Sequence, residues 1–259
     1  MFDPRKHKEQ LSELAQAHYL KMKFQYEPNT SDSIDRSKVY DWFDGVPDIK
    51  PRFPNMNILI EELDTTNAIF RYRPISLKLA ALNFASFKKP GGMFLNGSNA
   101  QEEALCHTSN LYNILLAFAP TYYNQNKKML NKSLYVDRAI YTPDVIFEDY
   151  AGVIYRADVI TCAAPNKKSA QKYYRVSDDD VNNALVSRIN HVLYTAYSEK
   201  VDTLILGAFG CGVFGNDPYE VATIFKYFLK TKYANCFEKV VFAIPGGKNF
   251  EAFIDIFNN

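Results

Sequence analysis

Short unbroken apolar runs recur along the chain, and between them lie stretches whose apolar residues fall three or four positions apart. The runs at 56–60, 76–84, 157–162, 203–206 and 240–244 read as strands buried on both faces. Weaker strand signals lie at 133–135, 139–141 and 153–155, with Pro143 marking a turn. Residues 4–23 read as a polar helix with Leu11, Leu14 and Ala15 on one side. Asp64, Thr65 and Thr66 provide a cap for a short helix through Tyr72. Leu105, Thr108, Leu111, Tyr112, Leu115 and Phe118 share one helical face, and Pro120 ends the run. The cluster at 177–180 reads as an N-cap followed by first-turn acids, ahead of Val181, Leu185, Ile189, Val192 and Ala196 on one face. Asn216 or Asp217 caps a helix with Pro218 in its first position, and a short helix at 250–257 closes the chain. Strands alternating with helices predict an α/β protein whose mixed, mainly parallel sheet is sandwiched by helices. The stretch 26–54 has no clear period and mixes Pro, Asp and Ser with Tyr40, Trp42 and Phe43, so it reads as an irregular wrap docked by its aromatics. The expected organisation is an N-terminal helical and irregular extension, 1–55, packed on one compact body, 56–259.

The chemistry concentrates in 83–110, NFASFKKPGGMFLNGSNAQEEALCHTSN. A strand, a glycine loop and a helix start in succession place backbone N–H groups where an anion binds. Glu102 and Glu103 stand in the first helical turn beside that loop. Acids there complement the helix dipole, but in an anion cradle they have a use only if they act on the bound ligand. Ser98 with Gln101, or Asn99 with Glu102, fits a capping box equally well. Neighbouring residues on a helix point about 100° apart, so the pair is not expected to flank one bond from opposite sides as paired glycosidase carboxylates do. One acts and the other holds the substrate. A second loop, GCGVFG at 210–215, is a literal GxGxxG between strand and helix. It lies too near the C-terminus for a dinucleotide fold, and 240–245 lacks the acid that such a fold carries on its next strand. What remains is a glycine turn and a helix start suited to a diphosphate. Cys106 reads as packing and His107 as surface.

Charge and cysteine content narrow the class. Thirty basic residues against 29 acidic ones leave a net charge of +1, so no global field argues for nucleic acid, and an anionic ligand must be met locally. Four scattered cysteines without a CxxC pair point to a reduced compartment, with neither a disulfide framework nor a zinc site. No long apolar run or secretory leader is legible, so the chain is assigned to the cytoplasm without a membrane partner.

Taken together, NFAS at 83–86, PGG, FLNG and QEE within 90–103, CHTSNLY at 106–112, TCAAPN at 161–166, LGAFGCGVFGNDP at 206–218 and VVFAI at 240–244 resemble the microbial type of poly(ADP-ribose) glycohydrolase, a macrodomain. The resemblance implies a macrodomain-like sheet and hydrolysis of ribose–ribose O-glycosidic bonds in poly(ADP-ribose), from the chain end, without metal or other cofactor. The partner it implies is ADP-ribose or its polymer on modified proteins, met by a monomer. Glu103 would be the acid, with Glu102 holding ribose hydroxyls. Gly91 and Gly92, with Met93 and Gln101 beside them, would lie along the proximal ribose and diphosphate. Gly210, Cys211, Gly212, Val213 and Phe214 would cover the diphosphate, with Phe214 on the distal ribose. Asn83 would sit at a strand end in the cleft and Asp64 would reach the adenine. One position departs from the family: active members carry three glycines in a row, and the third is here Met93. A methionine is costly if that position needs φ > 0. Two other readings therefore stand beside the first: an ADP-ribose reader without turnover, and a hydrolase of mono-ADP-ribose on a protein or nucleobase.

Overall fold

The computed structural model describes residues 4–41 and 48–258. Two helices, α1 (Pro4–Gln25) and α2 (Glu27–Arg36), lead into β1 (Lys38–Asp41). Then follow β2 (Asn57–Glu61), α3 (Thr65–Tyr72), β3 (Leu79–Phe84), α4 (Gln101–His107), α5 (Leu111–Ala117) and the single turn α6 (Asn124–Asn126). The second half runs β4 (Arg138–Glu148), β5 (Ile154–Cys162), α7 (Lys167–Tyr174), α8 (Asp178–Ser198), β6 (Thr203–Leu206), α9 (Pro218–Lys230), β7 (Lys239–Ala243) and α10 (Lys248–Asn258).

The seven strands form one sheet in the order β1-β4-β5-β3-β6-β7-β2. The pairs from β5 to β2 are parallel, and β1–β4 and β4–β5 are antiparallel. Successive residues of the central strands point to opposite faces, as the strand period requires. Ala80, Leu82, Leu204 and Phe242 pack on α8, α9 and α10. Ala81, Ile205 and Val241 face α1, α3, α4 and α5. Both faces are thus covered, and each fully buried Leu or Ile contributes about 1.5–3 kcal/mol. Among the described residues no helix is long and apolar enough to cross a membrane.

Four local readings need correction. The segment after 26 is regular where the sequence has no period: α2 buries only Thr30 and Ser33, so it carries no apolar stripe, and β1 is an exposed edge strand paired with β4. Trp42 and Phe43 lie outside the described residues. The helix after Gln101 breaks at 108–110, because Ser109 and Asn110 turn their polar groups onto the backbone. Ser109 Oγ donates to Leu105 O at 2.6 Å, and Asn110 Oδ1 accepts from Ile146 N at 2.9 Å. Pro143 lies inside β4, where a register shift between Thr142 and Val145 absorbs it. The expected strand at 133–135 is instead a turn with Asn131, Lys132, Ser133 and Tyr135 all at positive φ.

Candidate active site

The parallel strands end at one edge of the sheet, and the loops after β3 and β6 rise there on either side of a cleft of ≈ 1210 Å³. After β3 the chain doubles back through Gly91 and Gly92, at φ 60 and 59, and returns as α4. A Cβ on Gly92 would overlap Glu103 Oε1 and stand 3.0 Å from Glu102 Oε2. Both carboxylates therefore converge on the same glycine, from which any side chain is excluded by space as well as by conformation.

Glu103 is 7% exposed and held at two points. Its Oε1 accepts from Met93 N at 2.9 Å and its Oε2 from Ala100 N at 3.1 Å. The second bond caps α4, so neither Ser98 nor Asn99 does: the N-cap position is Ala100, and Glu103 reaches back to it. Glu102 lies deeper, 3% exposed. Ser86 N donates to its Oε2 at 2.7 Å and Asn83 Nδ2 to its Oε1 at 3.3 Å. Burial nonetheless pushes the Glu102 carboxyl up to about 8, opposed by the Ser86 N–H and reinforced by the neighbouring charge of Glu103. Gln101 spends its amide on the scaffold. Its Oε1 accepts from Phe84 N at 2.8 Å, and its Nε2 donates to Leu82 O at 2.8 Å and Thr65 Oγ1 at 3.1 Å. It thereby pins the starts of α3 and α4 to the end of β3.

Met93 sits at φ −115, an ordinary region for a side-chain-bearing residue, and its thioether is 3.7 Å from the Lys89 ammonium. The loop from Met93 to Gly97 forms a 3-10 turn against α1. Ser12 Oγ donates to Leu95 O at 2.6 Å, and the Phe94 ring packs between His18 and His107.

The second loop supplies the opposite wall. Gly210 approaches Asn216 and Ala164 too closely for a side chain, and Asn216 Nδ2 ties the loop to Pro165 O at 2.9 Å. Among the described residues the N–H groups of Gly212, Val213 and Phe214 have no protein acceptor. Phe214 faces Tyr135 at 6.3 Å between ring centroids, and Tyr135 stacks on Phe87 at 4.3 Å.

Asp64, Gly92, Met93, Gln101, Glu102, Glu103, Gly210, Gly212, Val213 and Phe214 all line this cleft. Three expected positions stand behind its wall. Asn83 is fully buried and reaches the site through Glu102; Gly91 is covered by Tyr112 and Cys106; Cys211 turns its Sγ toward Phe209 O. Asp64 caps α3, accepting from Asn67 N at 2.8 Å, and is exposed at the cleft's end. His107, read as surface, is half-buried on the cleft one turn beyond Glu103, with Nε2 buried and without a partner. Burial holds it and His18 below the ordinary imidazole value. Sequence reasoning also missed Ser86, His18, Phe87 and Tyr135; NFAS contains Ser86, but no pattern marks the other three. Among the described residues no group of three His, Cys, Asp or Glu gathers as a metal site.

A seven-stranded mixed sheet with two glycine loops walling a cleft at the carboxyl ends of its parallel strands defines a macrodomain-like protein. The family model described as microbial-type PARG, catalytic domain, matches residues 7–148, and the chain belongs to that family. Its structure is similar to that of poly(ADP-ribose) glycohydrolase from Deinococcus radiodurans in complex with ADP-ribose, at 32% identity over 89% of this chain and 97% of that one, with TM-score 0.80. It is also similar to the glycohydrolase from Thermomonospora curvata, at 29% identity over 96% and 100% of the two chains, TM-score 0.84. The latter protein bound to the inhibitor ADP-HPD aligns at 28% identity over 96% and 99%, TM-score 0.83. No curated protein matches the sequence.

Proposed function

We propose that this protein is a poly(ADP-ribose) glycohydrolase that cleaves the ribose–ribose O-glycosidic bond and releases ADP-ribose from the chain end. The observation that carries the proposal is the convergence of two buried carboxyls, Glu102 and Glu103, on Gly92 inside a cleft walled by two glycine loops. The unpaired N–H groups of 212–214 suit the diphosphate, Phe214 and Tyr135 offer ring faces to a ribose, and Asp64, exposed on the cleft, offers a carboxylate to an adenine amino group.

In this reading Glu103 takes up a proton as the anionic substrate closes over it, then gives that proton to the leaving ribose oxygen as the C1″–O bond breaks and the anomeric carbon gains oxocarbenium character. The resulting carboxylate then takes a proton from the water that attacks C1″. Met93 N and Ala100 N fix the position of Glu103 through both half-reactions. Glu102, a neutral carboxyl at pH 7, can both donate to and accept from the ribose hydroxyls next to the scissile bond.

The alternative of a reader without turnover was motivated by Met93. Its negative φ removes the backbone-strain motive; its side chain lines the cleft, and whether it crowds the leaving ribose is read by the hydrolysis assay. Incubation with poly(ADP-ribose) tests the proposal: wild type releases ADP-ribose, while Glu103→Gln binds ADP-ribose with nearly unchanged affinity and releases none. Glu102→Gln should retain some turnover with weakened substrate positioning. Equal residual rates for the two variants would refute this division of labour. A wild-type protein that binds ADP-ribose yet releases none from the polymer would refute the activity, and a panel of mono-ADP-ribosyl conjugates would then locate the true substrate.

A further inference from the structure

The charge of this molecule is balanced overall but not locally. Between Asp64 and Asp137 the only carboxylates are Glu102 and Glu103, both inside the cleft. On the cleft's lip Lys88 and Lys89 are exposed. Beside them, Asn126 Nδ2 donates to Phe87 O at 2.9 Å and so brings the exposed Lys127 and Lys128 against the same loop. Leu130, Tyr135 and Phe87 pack together, which places the exposed Lys132 next along this surface. Asn166 N then donates to Ser133 O at 2.9 Å, and Lys168 N to Phe214 O at 3.0 Å, joining α7 both to the 131–135 turn and to the second glycine loop. Helix α7 and its cap add Lys168, Lys172 and Arg175, all exposed.

None of these eight cations pairs with a carboxylate among the described residues, whereas Lys21, Lys38, Arg71 and Lys78 elsewhere do, as does Lys167 at the start of α7, bound to Asp178 at 3.0 Å. Two exposed rings, Tyr173 and Tyr174 at 68% and 48%, are interleaved with them, and the Lys172 ammonium stands 5.1 Å from the Tyr173 ring centroid. A second cavity of ≈ 650 Å³ opens between Lys132, Tyr174 and Arg175. It shares Tyr135 with the main cleft. Of the carboxylates at its margin, Asp137 pairs with Arg188 at 2.6 Å, while Asp180 accepts from Ser177 Oγ at 2.8 Å and keeps its charge at the start of α8.

We infer that this basic, tyrosine-bearing strip from Lys88 to Arg175 is a docking surface for poly(ADP-ribose) outside the cleft. It holds the units next to the one being cleaved, with diphosphates on the cations and adenines on the exposed tyrosines. The inference rests on the function proposed above. The polymer is favoured over nucleic acid because the strip starts on the lip of the ADP-ribose cleft and shares Tyr135 with it, so one ligand spans both. A surface of this kind raises the affinity for long chains without touching the chemistry.

The test combines Lys127→Gln, Lys128→Gln, Lys172→Gln and Arg175→Gln in one protein, with Glu103→Gln added in the binding arm so that the probe is not consumed. Fluorescent poly(ADP-ribose) of defined long length is titrated at several salt concentrations, and ADP-ribose by calorimetry. The expected result is at least about tenfold weaker binding of the polymer and a shallower salt dependence, by roughly 0.7 in log–log slope per cation removed. Affinity for ADP-ribose is unchanged, which also reports an intact fold. With Glu103 restored, KM for long polymer rises and kcat does not. Unchanged polymer affinity would overturn the inference, and so would a parallel loss of ADP-ribose affinity. Single-stranded RNA of equal charge competing as well as the polymer would also overturn it, in favour of a nucleic-acid surface. If polymer binding shows the expected dependence while wild type releases no ADP-ribose, the surface stands and the proposed hydrolysis falls.

Discussion

The main-chain N–H of Met93 donates to Oε1 of Glu103 across 2.9 Å. The residue that departs from the family's glycine triplet thus serves the site through its backbone, which any residue possesses. Its side chain lines the cleft, 38% exposed, with the thioether against the Lys89 ammonium.

Met93→Gly should therefore loosen the loop and gain nothing in the chemistry. Glycine adds unfolded-state freedom at a position that needs no positive φ, a loss of about 0.5–1 kcal/mol. Calorimetry should show a lower Tm, with ADP-ribose still bound and hydrolysis no faster than wild type. If wild type bound no ADP-ribose and the glycine variant did, Met93 would be a block and this account would fail.

Gly92 carries the opposite expectation. Alanine there meets Glu103 Oε1 and adopts a left-handed conformation costing about 1–2 kcal/mol. Relief requires Glu103 to leave Met93 N, so Gly92→Ala should lose turnover by about a hundredfold or more, since 2.7 kcal/mol of lost transition-state stabilisation corresponds to roughly that factor. Binding of ADP-ribose should weaken less than the rate. A variant with wild-type kcat would show that the carboxylate has room the structure does not display.

How much of this was legible beforehand depends on the kind of interaction. Buried runs such as Leu79–Phe84 and Thr203–Leu206 carry their burial in their composition, and the alternation with helices gave the sheet. The carboxylate pair and the glycine loops were visible as motifs. What was not visible was made by individual polar groups, some bonding within one turn and some across the chain. The cap on α4 comes from Glu103 itself, the break after His107 from Ser109 and Asn110, and the role of Gln101 from three partners on β3 and α3. None of these leaves a period in the sequence. The lysines of the basic strip were likewise scattered across 88–175, and their segments meet only in the fold, through Asn126, the packing of Phe87, Leu130 and Tyr135, and the backbone bonds of Asn166 and Lys168.

Glu102 should impose a pH dependence on stability. Its carboxyl rises from the usual carboxylate range to about 8 in the fold, because burial disfavours the charge. The folded protein then binds more protons than the unfolded chain between those values, so this group's contribution is fully present at low pH and is lost as pH rises through 8. His18 and His107, held low by burial, act in the other sense: their contribution is present above pH 6.5 and lost below it. Comparing wild type with Glu102→Gln cancels the histidines. Urea unfolding between pH 5 and 8.5 should show the variant gaining on wild type as pH rises. A difference independent of pH would place an ionised Glu102 in the fold.

Ser12 and Gly97, where the N-terminal helix meets the loop away from the cleft, should set the rate without touching the substrate. Glu103 is held by Met93 N and Ala100 N, and the chain between those two donors is the 3-10 turn that α1 grips. Ser12 bonds Leu95 O, and Gly97, at φ 74, lies so close to Lys8 O that a Cβ would collide with it. Removing the hydroxyl in Ser12→Ala costs about 1 kcal/mol of stability and should lower kcat a few-fold with KM nearly unchanged, because the turn relaxes while the diphosphate loop does not. Ser12→Thr, which retains the hydroxyl, should restore the rate. Gly97→Ala should do more, since α1 must move off the turn: kcat should fall at least about tenfold, a change of roughly 1.4 kcal/mol, while ADP-ribose affinity, supplied mainly by the opposite wall, persists. Steady-state kinetics on poly(ADP-ribose) with calorimetry on ADP-ribose separates the outcomes. A loss confined to stability, with kcat intact in the folded fraction, would make α1 packing alone; a loss of kcat rescued by threonine makes it the support on which the Glu103 carboxylate is aimed.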